Sequence, residues 1–218
     1  MTTATRWQRD GLARIMQSSA KYIIGVDEVG IGALAGPVYV VGAVYPKGWG
    51  DPDVRDSKKY STKNSRYKAF VTKVLPNTIH HSIQTATSAE IDQYGVEPIL
   101  TRLIRSAIVN CVAAAPDSVV VLDGLDRRDL RIAGHEVIAF PKADALVPAV
   151  SAASVIAKVT RDKVMEVLDE RYPGYGFTRN SGYGTSFHLE ALDQIGVSPI
   201  HRRSYEPIKR ALAGCANP

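Results

Sequence analysis

The chain has 218 residues, 45% of them hydrophobic and 22% charged, enough for one large domain with a substantial core, or one domain with a small C-terminal appendage. It holds no apolar run near the roughly eighteen residues of a membrane-spanning helix, and its first ten residues, Met1 to Asp10, contain no apolar signal core. Lysine and arginine outnumber aspartate and glutamate by 27 to 22, a net charge of +5, which alone supports nucleic-acid binding only weakly.

Residues 1–20 read as a short helix or an extension. Strands are expected at about 22–27 and 37–45, with Pro46 to Asp53 as loop. A helix is expected from Thr62 to Leu75, ended by Pro76-Asn77, and a strand over Thr78 to Thr85. Thr87-Ser88-Ala89-Glu90 has capping-box spacing before a short helix that stops near Gly95. Pro98 opens a further helix, on which Ile99, Leu103, Ala107 and Cys111 share one face up to about Ala114. Ser118 to Leu122 is a short β-branched run, a buried parallel strand by its pattern, and it ends in Asp123-Gly124. A strand at about 135–140 leads to Lys142-Ala143-Asp144, and a helix follows from Ala149 to Arg171, rich in small residues at its start. The Gly/Tyr-rich stretch 172–184 reads as loop, before helices at Thr185 to Ile195 and near 206–213. Cys111 falls in a buried helix and Cys215 near the tail, which argues against a disulfide and for a reducing cytoplasm.

The segment Gly25-Val-Asp-Glu-Val-Gly-Ile-Gly-Ala-Leu-Ala-Gly36 joins the first two strands and carries adjacent carboxylates, Asp27 and Glu28, where the first strand ends. A tight hairpin with exposed acids would explain it. A dinucleotide-binding loop would not, because the chain goes on as Pro37 and β-branched residues rather than opening a helix. A second feature is the clustering of charge: seven basic residues against one acid, Asp56, between Val54 and Lys73. Such a cluster supplies phosphate contacts, or else one solvated helix face. Six basic residues face three acids from Arg171 onward.

Asp27, Glu28, Asp123 and Asp144 are the candidate site acids, three of them at strand ends of the kind where open α/β sheets place their sites. Carboxylates gathered together repel unless cations neutralise them. An oxygen-only donor set suits Mg²⁺ or Mn²⁺ rather than Zn²⁺, and two such ions activate water for phosphodiester hydrolysis. Asp92, Asp117, Asp126, Asp129, Asp162 and Glu190 compete for these roles. Asp162, within a helix beside Arg161, reads as a solvated or structural pair. No Gly-x-Ser-x-Gly elbow supports a serine triad.

Taken together, the blocks at 25–30, 34–38, 56–59 (Asp-Ser-Lys-Lys), 123–124, 142–144, 151–162, 172–177, 182–185 and 201–205 (His-Arg-Arg-Ser-Tyr) resemble ribonuclease HII, the type 2 ribonuclease H. The resemblance implies an α/β fold, a ribonuclease H-like mixed sheet flanked by helices with a C-terminal helical extension. It divides the chain into an N-terminal extension (1–20), a catalytic core (21–170) and a loop-helix region packed on the core (171–218). It implies cleavage of the RNA strand of RNA/DNA hybrids and incision 5′ to ribonucleotides embedded in duplex DNA, leaving a 3′-hydroxyl and a 5′-phosphate. Asp27, Glu28, Asp123 and Asp144 match the catalytic, metal-binding acids. Gly30, Ile31, Gly32 and Tyr183 match the ribose-sensing positions, Ser57, Lys58 and Lys59 match phosphate-contacting positions, and Ser154 and Lys158 match residues lining the same cleft. The protein expected is a cytoplasmic monomer with no membrane partner. Two departures stand out: the family's Gly-Arg-Gly is Gly30-Ile31-Gly32 here, and its Lys-His-Lys is Arg179-Asn180-Ser181. Ile31 keeps open an alternative, a catalytically weakened hybrid-binding protein on the same fold.

Overall fold

The computed structural model describes residues 5–124, 131–132 and 134–214. Two compact units divide the chain. The first takes Met1–Asp27, Val40–Gln84 and Ile104–Val159, and the second takes Glu28–Tyr39, Thr85–Leu103 and Thr160–Pro218.

The strands are β1 (Tyr22–Val29), β2 (Val38–Pro46), β3 (His80–Ala86), β4 (Ser118–Asp123), β5 (Arg131–Ile132) and β6 (His135–Phe140). They form one six-stranded sheet in the order β3-β2-β1-β4-β6-β5. β4 lies parallel to both β1 and β6, and β5 is antiparallel to β6, so the sheet is mixed. The helices are α1 (Arg6–Gln17), α2 (Lys63–Ala69), α3 (Ser88–Tyr94), α4 (Val96–Ala114), α5 (Pro148–Arg171), α6 (Phe177–Asn180), α7 (Ser186–Ile195) and α8 (Glu206–Gly214). None is long and apolar enough to cross a membrane.

In the first unit the uninterrupted apolar run of β4 is buried on both faces, as its parallel neighbours require. Helices cover the sheet through close contacts. Gly11 of α1 lies against the Phe140 ring, and Gly42 of β2 against Cys111 and Ala107 of α4. A Cβ on Gly25 would overlap the Ala149 carbonyl, so only glycine lets the first turn of α5 lie on β1. The small residues Ser151 to Ser154 that follow it along α5 are all buried.

In the second unit Leu34, Ala35, Met165, Tyr175, Phe177, Ala191, Leu192 and Ile208 form the core. The Thr87/Glu90 capping box is present in both directions, at 2.9 and 3.2 Å.

Several elements differ from expectation. The helix over 62–75 is α-helical only to Ala69, then makes a π turn at Phe70–Val74 and a 3₁₀ turn at Leu75–Asn77. A short helix, α6, interrupts the loop expected at 172–184. β5 has two residues, too few to show an alternating pattern. Asp162, expected as a solvated or structural pair, takes the structural alternative: it is buried and accepts from the Ser181 hydroxyl at 3.2 Å. Cys111 is a buried free thiol; Cys215, Asp126 and Asp129 lie outside the described residues.

Candidate active site

Because β1, β4 and β6 are parallel, their C-terminal ends share one edge of the sheet. Val26 pairs with Leu122, and the next residue along each strand is a carboxylate, Asp27 and Asp123. Asp123 in turn pairs with Phe140, after which the chain turns through Pro141 to Asp144. Lys142 makes that turn with a left-handed backbone, φ 61° and ψ 32°. The turn aims successive amides at the Asp123 carboxylate: Ala143 N donates to Oδ1 at 2.8 Å, with the Lys142 and Asp144 amides also bonded to it. The Ser151 hydroxyl donates to the Asp144 carbonyl at 2.6 Å and ties the turn to α5.

Lys58 is the cation among these acids. Its Nζ stands 3.8 Å from Asp144 Oδ2. Burial works against its charge, but Asp144, Asp56, Asp27 and Asp123 together hold its pKa above the ordinary lysine value. Burial pushes Asp144 up to about 6, with the charges of Asp123 and Asp56 acting the same way and Lys58 opposing. Burial also raises Asp123, against the backbone bonds it accepts. The Lys58 turn is fixed by Asp56, which accepts from Lys58 N at 3.0 Å. It is also fixed by Ser57, whose Oγ accepts from the Ser154 hydroxyl at 2.9 Å and whose carbonyl accepts from Arg66 at 3.1 Å. Lys59 is exposed, and Lys158 lies one turn after Ser154 on the same side of α5.

The first unit therefore gathers Asp27, Asp123, Asp144, Ser57, Lys58 and Ser154. Glu28 is the next residue of β1, and strand alternation gives it the opposite face from Asp27; it is not among the acids acting on Lys58. Asp56 is the fourth acid there, and its place in the Asp-Ser-Lys-Lys motif was its only signal. Among the described residues no group of three or more His, Cys, Asp or Glu side chains is arranged to hold a metal ion as it stands. The chemistry of the donors nonetheless fits one: oxygen ligands only, an Asp144 carboxyl raised by burial and by the charges of Asp123 and Asp56, and Lys58 as a counter-charge.

The second unit holds the Gly30-Ile31-Gly32 loop and Tyr183. Two fully buried arginines bind the main chain here. Arg202 donates to the Gly30 carbonyl (2.7 Å), the Ile31 carbonyl (2.6 Å) and the Gly36 carbonyl (2.9 Å). Arg161 donates to the carbonyls of Pro37 (2.9 Å), Ser181 (2.7 Å) and Ala35 (3.3 Å). Burial lowers both, Arg161 to about 10, so each stays charged at neutral pH. Gly30, at φ 92°, has no room for a Cβ because Arg161 fills the space. With the carbonyls drawn inward, the Ile31 and Gly32 amides have no acceptor among the described residues. The Tyr183 ring is 37% exposed, lies 5.6 Å from the Arg161 guanidinium and borders Gly32. Of the departures noted in the sequence, Asn180 and Ser181 are buried and shape this loop: Asn180 donates to the Tyr175 carbonyl at 2.7 Å and accepts from Gly182 N at 2.8 Å. Arg161, Arg202 and Tyr205, which donates to the Ile31 carbonyl at 2.6 Å, had no role assigned from sequence. A buried arginine bonded to carbonyls leaves no local pattern.

The family model for ribonuclease HII matches residues 24–208. The chain is 35% identical to the ribonuclease HII of Listeria monocytogenes serotype 4a, over 96% of this chain and 82% of that protein. It is 39% identical to that of Shewanella loihica, over 89% and 91%. Among solved structures, ribonuclease H2 from Pyrococcus horikoshii OT3 aligns with a TM-score of 0.71 and 28% identity, over 90% of this chain and all of that one. The Bst-RNase HIII structure in complex with Mn²⁺ shares the fold at a TM-score of 0.74 and 20% identity, over all of this chain and 77% of that one. With the matched region spanning both the strand-end acids and the glycine loop, the chain belongs to the ribonuclease HII family.

Proposed function

We propose that the chain is a metal-dependent endoribonuclease that hydrolyses the RNA strand of RNA/DNA hybrids and incises 5′ to ribonucleotides embedded in duplex DNA. The observation that carries this reading is the gathering of Asp27, Asp123 and Asp144 around Lys58 at the edge where three parallel strands end, in a chain of this family.

Asp27, Asp123 and Asp144 would hold Mg²⁺ or Mn²⁺; Glu28, the next residue of β1, is assigned to the same ions by the family resemblance alone. When bound, a pair of such ions supplies an activated water and neutralises charge on the leaving 3′ oxygen. The remaining work belongs to side chains. Lys58 offsets the acids before metal arrives, and with Ser57 and Lys59 it binds phosphates beside the cut. Ser154 holds Ser57 through its hydroxyl, and Lys158 adds a cation from the same helix. In the second unit, the Ile31 and Gly32 amides are available to a sugar hydroxyl. Tyr183 offers a flat ring to the ribose; the 2′-hydroxyl is the group that separates RNA from DNA. Ile31 supplies no charge to a phosphate, so holding by this loop rests on its backbone.

The test is incision of a DNA duplex containing one ribonucleotide, with Mg²⁺ or Mn²⁺, against Asp123→Asn. Wild type should leave a 3′-hydroxyl and a 5′-phosphate, and the variant should lose more than roughly 100-fold in rate. Binding without cutting by wild type would favour the weakened hybrid-binding protein. An active Asp123→Asn would overturn the site assignment.

A further inference from the structure

His188 on α7 and His201 are both fully buried, and their Nε2 atoms stand 3.0 Å apart. One proton lies between them, and the surrounding bonds decide which ring carries it. Ser198 N donates to His201 Nδ1 at 3.0 Å and the Ser198 hydroxyl lies 2.8 Å from the same nitrogen; with Nδ1 the acceptor of the backbone bond, the His201 proton is assigned to Nε2 and the hydroxyl donates as well. His201 Nε2–H then donates to His188 Nε2. The His188 proton is thereby placed on Nδ1, which donates to the Tyr183 carbonyl at 3.0 Å. The chain of bonds runs one way, from Ser198 through two neutral imidazoles of opposite tautomer to Tyr183.

The pair is enclosed by aromatic rings, Tyr175 at 4.9 Å from His201 and Phe177 at 5.4 Å from His188. Apolar side chains would fill this space without the cost of burying two imidazoles. What imidazoles add is direction, and that direction ends on the peptide of an exposed tyrosine. The Tyr183 backbone is held on both sides: Tyr183 N donates to the Asn180 carbonyl at 2.9 Å, and Thr185 N also donates to the Tyr183 carbonyl at 2.8 Å.

We propose that His188 and His201 are positioning residues that lock the Tyr183 peptide and so hold its ring in the pose that meets the ribonucleotide sugar. The proposal rests on the ribonuclease reading above. It assigns the pair to substrate affinity rather than to the chemical step.

Two measurements test it. The first is the tautomeric state of the two rings, read from long-range ¹⁵N–¹H couplings in the wild-type protein; His188 should be protonated on Nδ1 and His201 on Nε2, and either ring in the other tautomer overturns the proposal. The second compares His188→Asn with His188→Gln on the single-ribonucleotide duplex. The asparagine amide nitrogen takes the place of Nδ1 and keeps the donor to Tyr183; the glutamine amide reaches the place of Nε2 and loses it. His188→Gln should raise KM roughly three- to tenfold, the range for one lost hydrogen bond, with kcat within about twofold, and His188→Asn should restore KM. Equal KM values for the two variants, or a fall in kcat alone, overturn it. If His188→Gln does not fold, His201→Gln, which keeps the donor to His188, is compared with His201→Asn, which loses it, and the same split in KM is expected. A wild type that cuts nothing refutes the ribonuclease reading by itself, while the tautomers still decide whether the chain of bonds exists.

Discussion

Asp144 sits in an acidic cluster with one lysine beside it. Its carboxyl is buried among Asp123 and Asp56 and pushed up to about 6 from an ordinary 3.8. A carboxyl that binds its proton more tightly in the folded state loses stability as pH rises from 3.8 through about 6, and that loss is complete above 6. Asp144→Asn removes the charge and keeps the shape. At pH 7.5 without metal it should therefore melt higher than wild type, by on the order of 2–4 °C, while cutting falls by more than roughly 100-fold. Adding Mn²⁺ should raise the wild-type melting temperature and leave the variant's nearly unchanged; a variant that melts lower without metal would remove the like-charge argument. Asp27, Asp123 and Asp144 were readable in the sequence because each follows an apolar β run closely, and parallel strands bring such ends to one edge. Arg161 and Arg202 were not, because their partners are carbonyls up to 172 positions away along the chain.

Elements with one apolar face were legible for a physical reason: burial selects it. Ile99, Leu103, Ala107 and Cys111 are all buried on α4, and the Thr87/Glu90 box starts α3. The π turn after α2 was not legible, since a widened turn changes hydrogen-bond partners without changing residue type. At this scale α7 carries a pH prediction through its buried histidine. Burial lowers His188, and burial with the nearby His188 ring lowers His201 to about 4 from an ordinary 6.5. The folded state thus takes up protons less readily than the unfolded one, and stability present above 6.5 is lost as pH falls toward 4. Asp144 acts with the opposite sign over part of that window. Urea midpoints at pH 7.5 and 5 should therefore be compared between wild type and the His188→Asn/His201→Asn double variant, which keeps Asp144. Wild type should lose more of its midpoint on acidification; an equal loss in both proteins would show that the rings do not titrate in this way.

Over the whole molecule the net charge is +5, a modest field for a protein that must hold a polyanion. The cations proposed to meet phosphate are few: Lys58, Lys59 and Lys158. If each releases one counterion on a duplex, the logarithm of affinity should fall with the logarithm of salt with a slope of about −3. Ile31 is the place where a further cation would act. Its carbonyl is fixed by Arg202 and Tyr205, each at 2.6 Å, and its side chain is only half-buried, so an arginine there has a set backbone and room toward solvent. Ile31→Arg should steepen the salt slope by about 0.9, lower KM on the single-ribonucleotide duplex at low salt and sharpen preference for the ribonucleotide junction. Because the acids are untouched, kcat should stay within about twofold. The measurement is Kd and KM across 50–200 mM salt for both proteins. An unchanged slope together with unchanged KM and junction preference would mean that position 31 does not face phosphate, and that this loop acts through its amides alone.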